Sequence, residues 1–158
     1  MPGGNALNES YPAVPAAVPL ARGALAEMAA VAGAGGERLE EIRLAVSEAL
    51  TNAVVHAYRD ADAGRFHVTA AVASGELWVL ISDDGCGLHA WNDSRGLGMG
   101  LSLISRLSDD FAIVTRASGG IEVQMRFDLK RAGVRSREVT REGRALPRPL
   151  LPDFASQR

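Results

Sequence analysis

Residues 47–58 read SEALTNAVVHAY, and this stretch decides how the rest of the chain is interpreted. It belongs to a run, residues 37–58, whose apolar residues recur at helical spacing with a wide stripe suited to burial. Glu48 and Asn52 lie four residues apart, so their polar ends project from the same face of the predicted helix. A carboxylate and an amide that converge in this way can hold a water molecule or a metal ion.

A first glycine cluster, DDGCG at residues 83–87, comes directly after a predicted strand. Gly85 and Gly87 allow the backbone to turn tightly and to approach a flat ligand. Asp83 can accept a hydrogen bond from an exocyclic amine such as that of adenine. An ordinary turn is the better interpretation of either glycine cluster alone, but the conjunction with the Glu48 and Asn52 helix favours a nucleotide site.

A second glycine cluster, GLGMGL at residues 96–101, precedes a predicted helix. At such a junction Gly96, Gly98 and Gly100 offer free backbone N–H groups and the positive end of the helix dipole to a phosphate. Competing nucleotide motifs fail on the sequence. The only lysine is Lys130, which excludes a P-loop, and neither the dinucleotide-binding spacing nor the protein-kinase signatures occur.

The remaining elements predict an α+β fold. A helix is expected from about Pro19 to residue 32, and β-rich runs at 65–73 and 76–83 predict a hairpin around Ser74-Gly75. Residues 100–107 predict a further helix, and 111–116 and 121–129 predict two more strands. Without strict βαβ alternation, this order favours a two-layer α/β sandwich with a mixed, mostly antiparallel sheet covered on one face by helices.

Composition predicts one domain, since the chain has 158 residues of which 47% are hydrophobic. We expect residues 1–13 to be a disordered N-terminal segment, residues 14–130 to form the folded domain, and residues 131–158 to be a basic, disordered tail. The longest apolar runs are too short to span a membrane, so a soluble, cytoplasmic protein is expected. The single cysteine and three histidines suggest neither a disulfide nor a zinc site.

The net charge of −2 conceals an asymmetry along the chain. Residues 131–158 carry seven arginines against three acidic residues, a net charge of +4, whereas residues 1–130 carry −6. Nucleic-acid binding by this tail is the alternative to a solvated tail. The arginines are spread among Gly, Pro, Ser and Glu without aromatic interleaving, which favours a solvated tail and no direct contact with nucleic acid.

Taken together, these motifs resemble the GHKL ATPases with the Bergerat fold. Within that group the chain is most similar to the small bacterial anti-sigma factor serine/threonine kinases of the RsbW and SpoIIAB type. The pattern Glu48-x-x-x-Asn52-x-x-x-His56-Ala57-Tyr58 matches the N box of the family, and the resemblance covers residues 14–128.

The resemblance implies roles for particular residues. Glu48 would act as general base, Asn52 would coordinate Mg²⁺ that bridges the phosphates of ATP, and Asp83 would bind the adenine amino group. Residues 88–95 would form a short ATP lid. The residues implied to shape the adenine pocket are Gly85 and Gly87, and those implied to bind phosphate are Gly98, Gly100 and Leu101.

Simpler structural interpretations remain open for some of these residues. Glu48 as a solvated helix charge is the alternative to catalysis, and Arg95, at the end of the lid, either pairs with a phosphate or is solvated. His56 is expected to cap or pack the helix end, and Cys86 to fill space in the pocket. Ile121 follows Gly120 where the family usually has a threonine that helps to bind the aspartate and adenine.

The function implied is that of an ATP-dependent serine/threonine protein kinase. It would bind a sigma factor, phosphorylate an anti-sigma factor antagonist and form a homodimer. The alternative is an ATP-gated regulatory binding protein without kinase turnover. A histidine-kinase catalytic domain separated from its phosphoacceptor is disfavoured by the short lid and by the absence of a dimerisation helix with an acceptor histidine.

Overall fold

The computed structural model of the chain describes residues 5–57, 64–85, 97–117 and 119–131. Their elements, in chain order, are β1 (Ala6–Pro12), α1 (Ala17–Val31), α2 (Gly36–Ala57), β2 (Arg65–Ala73), β3 (Glu76–Asp83), α3 (Leu97–Leu107), β4 (Asp110–Thr115) and β5 (Ile121–Asp128). The α+β prediction is confirmed. Each predicted helix and strand is present, with bounds that differ by a few residues at most.

The five strands form one sheet in the order β1-β2-β3-β5-β4. Every pairing within the described strands is antiparallel, which corrects the expectation of a mixed sheet. The reason lies in the connection through α3. The chain crosses from β3 to the edge strand β4, and the β4–β5 hairpin then returns β5 to the middle of the sheet, beside β3 and in the opposite direction.

The N-terminal segment is the second correction, because residues predicted to be disordered form the edge strand β1. Ala6–Pro12 pairs along its whole length with β2. Leu7 and Tyr11 pack against the core, and the Tyr11 ring stacks on Phe66 with 5.3 Å between ring centroids. The strand was not predicted because its composition is mostly polar, although Leu7 and Tyr11 lie an even number of residues apart and so share one face of the strand. Pro12 is tolerated because it is the last residue of an edge strand.

The three helices cover one face of the sheet. Their apolar stripes and the inward residues of the strands form one buried cluster that includes Leu25, Ile42, Leu50, Phe66 and Phe127. Helix α2 packs on both α1 and α3 and lies against β2 and β3. This arrangement presents the C-terminal half of α2 to the first turn of α3. Within the described residues, no helix is long and apolar enough to cross a membrane.

A buried arginine joins the ends of several elements. Arg38, 3% exposed at the start of α2, donates hydrogen bonds to the carbonyl oxygens of Leu107 and Asp128 at 3.0 and 2.9 Å, and its guanidinium pairs with Glu41 and Asp109. Removing one partner of such a buried network leaves an uncompensated charge. The network therefore fixes where α3 and β5 end relative to α2.

Candidate nucleotide site

The predicted phosphate end of the site, called the phosphate end below, lies where α2 meets the first turn of α3. A Cβ atom built at Gly100 would lie 3.1 Å from Oε2 of Glu48 and 3.5 Å from Nδ2 of Asn52. The two side chains predicted to converge therefore do so, and they converge against the second glycine cluster. Glycine at position 100 leaves room for both polar groups beside the backbone of α3.

Asn52 carries an unsatisfied polar atom at this point. Its Nδ2 is buried and has no hydrogen-bond partner among the described residues. A buried donor without a partner costs about 1–3 kcal/mol, so a ligand or water that bonds to it recovers that energy. A half-turn of the amide presents Oδ1 instead, and Mg²⁺ takes oxygen ligands while it keeps several waters and substrate phosphates.

The polar side chains at this end, Glu48 and Asn52, suit a magnesium ion that takes only one or two ligands from the protein. Within the described ranges, no group of three or more His, Cys, Asp or Glu side chains could hold a metal ion. Mg²⁺ at nucleotide sites is bound by one or two protein groups together with the phosphates. The residues present thus fit magnesium that arrives with the nucleotide.

The predicted adenine end of the site, called the adenine end below, lies at the end of β3. Asp83 is 2% exposed, and its Oδ1 accepts a hydrogen bond of 2.8 Å from the backbone N–H of Gly85. Burial is the main cause that raises the pKa of Asp83, and neighbouring Asp84 adds to it. Backbone N–H groups of Gly85 and Ile121 and the Arg116 guanidinium oppose this rise without cancelling it.

Gly120 makes the adenine end possible. Its φ is +81°, and a Cβ atom there would lie 2.1 Å from the carbonyl oxygen of Asp83 and 3.3 Å from Oδ1 of the same residue. Real Cβ atoms essentially never approach another atom so closely, so any side chain would force the strands apart. Glycine lets β5 begin directly against the end of β3.

Ile121 departs from the family pattern but keeps one contact with the aspartate. Its backbone N–H bonds to the Asp83 carboxylate, while its side chain is 1% exposed in the core. The side chain therefore adds packing where a threonine would add a hydroxyl group. The contact that survives depends on the backbone alone, so it does not depend on which residue follows Gly120.

Sequence reasoning did not assign Gly120 or Arg116 to the site. Nη1 of Arg116 donates to Oδ1 of Asp84 at 3.1 Å and to the carbonyl oxygen of Asp83 at 3.4 Å. On the other side, Nε2 of His67 lies 3.3 Å from Oδ2 of Asp84. The available signal was a Gly-Gly pair between two strands, which indicates a turn but does not reveal which strand end it approaches.

Several predicted site residues lie outside the described residues. These are Cys86, Gly87, the predicted lid at residues 88–95, which includes Arg95, and Gly96. Gly98 lies in the first turn of α3, and Leu101 is partly buried against the core. The structure therefore brings together Glu48, Asn52 and Gly100 at one end, and Asp83 and Gly85 at the other.

Comparison with known proteins identifies the class. Residues 11–127 match the model of the histidine kinase-like ATPase domain family. The match covers more than half of the chain, and the chain belongs to this family. The resemblance predicted from the N box and the glycine clusters is confirmed.

Individual relatives narrow the comparison. The chain is 33% identical over 114 residues to the serine-protein kinase RsbW of Listeria monocytogenes, covering 63% of this chain and 73% of the relative. It is 30% identical over 138 residues to RsbW of Bacillus licheniformis, covering 78% and 85%. The anti-sigma F factor of Shouchella clausii is 28% identical over 104 residues, covering 59% and 71%.

A solved structure supports the same fold. The RsbU and RsbW domains of Rv1364c from Mycobacterium tuberculosis superpose with a TM-score of 0.63 at 27% identity. The alignment covers 85% of this chain and 34% of that chain. This chain therefore corresponds to about one third of the solved protein.

Proposed function

We propose that this chain is an ATP-dependent serine/threonine protein kinase that binds a sigma factor and phosphorylates an anti-sigma factor antagonist. The observation that carries the proposal is the meeting of Glu48 and Asn52 at Gly100, where the buried Asn52 amide nitrogen has no hydrogen-bond partner in the described part of the chain. The relatives, a serine-protein kinase and an anti-sigma F factor by name, support the same reaction and the same class of partner.

The chain's own residues would carry the reaction as follows. Asp83 accepts a hydrogen bond from the adenine amine, and the first turn of α3, with Gly98, Gly100 and Leu101, receives the phosphates at its N-terminal end. Gly85 and Gly87 shape the pocket around the base, and Gly96 and Arg95 bind on the phosphate side. Mg²⁺, held by Asn52, would neutralise phosphate charge when bound.

Glu48 is the general base of the proposed transfer. A serine hydroxyl of the antagonist attacks the γ-phosphorus of ATP in line, and its proton passes to the Glu48 carboxylate. A bond forms between the serine oxygen and the γ-phosphorus, and the bond to the bridging oxygen of ADP breaks. Most of the acceleration would come from holding the two reactants in this geometry.

The test is transfer of labelled γ-phosphate from ATP to the serine of an antagonist protein. The products of genes that flank this one are the candidate acceptors, and binding of a sigma factor is measured in parallel. The proposal predicts magnesium-dependent phosphoserine on one of these acceptors. ATP binding without transfer to any of them would overturn the kinase assignment and support nucleotide-gated binding instead.

We also propose that the protein acts as a homodimer in the cytoplasm without direct contact with nucleic acid. The dimer is an expectation that rests on the resemblance to the anti-sigma factor kinases. Analytical ultracentrifugation should give twice the chain mass of 16.6 kDa. A single species at the monomer mass across the accessible concentration range would contradict the dimer.

A further inference from the structure

Two exposed apolar side chains lie on the same side of α2 as Glu48. Leu44 is 45% exposed and Val55 is 51% exposed, and Glu48 between them is partly exposed. At about 3.6 residues per turn, positions 44, 48 and 55 fall within about 40° of one another around the helix axis. A single exposed apolar residue needs no explanation, but two that are aligned with the proposed general base do. We call Leu44, Glu48, Thr51 and Val55 the Glu48 stripe.

The Glu48 stripe lies between α1 and α3, on the side of α2 away from the sheet. The opposite side of α2 belongs to the core, through Ala45, Val46, Ala49, Leu50 and Ala53. Towards α1, Nη1 of Arg22 donates a hydrogen bond of 3.4 Å to Oγ of Ser47. Towards α3, Gly100 lies against Glu48. The stripe is therefore an exposed floor that two helices flank, and the direction left open to a bound chain runs along α2.

The stripe is apolar on both sides of its carboxylate. Glu48 is its one charged member, and Thr51 is uncharged. The neighbouring charges on the exposed side of α2, Glu40 and Arg43, pair with each other at 3.7 Å. An occupant of the stripe therefore meets apolar surface at Leu44 and at Val55, and this chemistry favours apolar side chains rather than charged ones.

The distances along α2 match a short extended segment centred on Glu48. At about 1.5 Å per residue, Leu44 lies about 6 Å and Val55 about 10.5 Å from Glu48 along the helix axis. The proposed reaction needs an acceptor serine at Glu48, so the residues that flank this serine pass over the stripe. Since an extended chain advances about 3.3 Å per residue, the flanking residues that reach Leu44 and Val55 lie about two and about three positions from the serine.

We propose that Leu44 and Val55 determine which acceptor segment binds, by contacting apolar side chains that flank the serine about two positions away on one side and about three on the other. The proposal rests on the kinase assignment and adds the chemistry of the segment that the kinase recognises. The two contacts hold the serine hydroxyl beside Glu48. Leu44 and Val55 take no part in the transfer itself.

Steady-state kinetics of Leu44→Ser and Val55→Ser test the proposal. The acceptor is the antagonist protein that the wild type phosphorylates in the transfer assay described above. Each substitution removes one apolar contact, so we expect the KM for the acceptor to rise by about tenfold. The kcat and the KM for ATP should stay at their wild-type values, because the lost contact is made equally in the ground state and in the transition state.

Leu20→Ser and Val31→Ser are the matched controls. Leu20 and Val31 are 67% and 77% exposed on α1, so the same change is made at apolar positions outside the Glu48 stripe. Both controls should keep the wild-type KM for the acceptor. Thermal unfolding checks that all four variants remain folded.

A double-mutant cycle tests whether the contacts are direct. Apolar residues within three positions of the acceptor serine are replaced with serine, one at a time, and each such acceptor should show a raised KM with the wild type. The KM should rise no further with the kinase variant that lacks the other half of the same contact. Effects that are additive for every pair would overturn direct contact.

The remaining outcomes separate this proposal from the kinase assignment. A wild-type KM for the acceptor in both Leu44→Ser and Val55→Ser, with transfer intact, would overturn the proposal and leave the kinase assignment standing. Transfer by the wild type to no acceptor would overturn both. A wild-type KM together with loss of a dimer in ultracentrifugation would assign the stripe to a second copy of the chain and so overturn the proposal.

Discussion

The two ends of the nucleotide site are built in different ways. At the adenine end, Asp83 is held by backbone N–H groups of Gly85 and Ile121 where two strands meet, with Gly120 in close contact. At the phosphate end, Glu48 and Asn52 are side chains on a helix, and the buried Nδ2 of Asn52 has no partner among the residues that the structure describes. The first end is therefore part of the folded core, whereas the second leaves a buried polar group that the rest of the described fold does not satisfy.

This difference separates the effects of mutation. A change at the adenine end disturbs the contact of β3 with β5 and should lower stability together with binding. A change at the phosphate end removes groups that the fold does not need, and it should lower activity at little cost in stability. Functional sites commonly carry such unsatisfied groups at the expense of stability.

Gly120→Ala should have the largest effect on stability. The new Cβ would meet the carbonyl oxygen of Asp83 at 2.1 Å, and φ is +81°. We expect a loss of about 3 kcal/mol or more in the free energy of unfolding, measured by urea denaturation.

Gly119→Ala is the matched control for this change. Its φ is +84°, but the nearest atom to its Cβ lies at 4.0 Å. It should cost only the backbone strain of about 1 kcal/mol. Equal losses in the two variants would show that the contact with Asp83 is not what requires glycine.

Asn52→Ala should make the protein more stable and less active. The substitution removes the unpartnered Nδ2 and adds a better helix former, a gain of roughly 1 kcal/mol. Thr51→Ala, at an exposed neighbouring position of α2, is the control, because it raises stability only through the higher helix propensity of alanine. Magnesium-dependent ATP affinity, measured by calorimetry, should fall in the first variant and not in the second. A destabilised Asn52→Ala would contradict the account.

Gly100→Ala tests the contact between α2 and α3. Alanine within a helix ordinarily adds up to about 1 kcal/mol relative to glycine, and Gly23→Ala in α1, where no atom lies within 4 Å of the new Cβ, should show this gain. At position 100 the Cβ would crowd Glu48 at 3.1 Å. We expect a smaller gain in stability and a clear loss of phosphate transfer. Full activity would show that the Glu48 position is not critical.

The pH dependence of stability should show a small contribution from Asp83. Its pKa is raised in the folded state, so the folded protein binds a proton more tightly than the unfolded chain does. This contribution is fully present below the ordinary aspartate pKa of 3.8 and is lost as pH rises through the raised folded pKa. The difference in unfolding free energy between the wild type and Asp83→Asn should therefore fall with rising pH across that window. A difference that rises with pH would contradict the burial of Asp83.

The phosphate end could be predicted largely from the sequence. Glu48 and Asn52 share a helix, and helical periodicity places residues four positions apart on one face. The hairpin at Ser74-Gly75 could also be predicted, because its turn depends only on residues adjacent in sequence. The φ angles of Ser74 and Gly75, +53° and +76°, are those that a two-residue hairpin turn requires.

The adenine end could be predicted only in part. Asp83 was singled out by its position before a glycine cluster, but its contacts with Gly120 and Ile121 come from a strand that follows much later in the chain. Such pairing depends on the order of strands in the sheet, which local patterns do not encode. The strand β1 was missed for a related reason, because pairing with β2 overrides its weak local preference.

The central claim is that the phosphate end performs chemistry without supporting the fold, and Glu48→Gln tests it most directly. The matched control is Glu40→Gln on the same helix, where the side chain is 72% exposed. Both variants should unfold at the wild-type temperature and bind ATP with nearly wild-type affinity. Phosphate transfer should fall by about 10²-fold or more in Glu48→Gln only. Transfer at the wild-type rate in Glu48→Gln would contradict the claim.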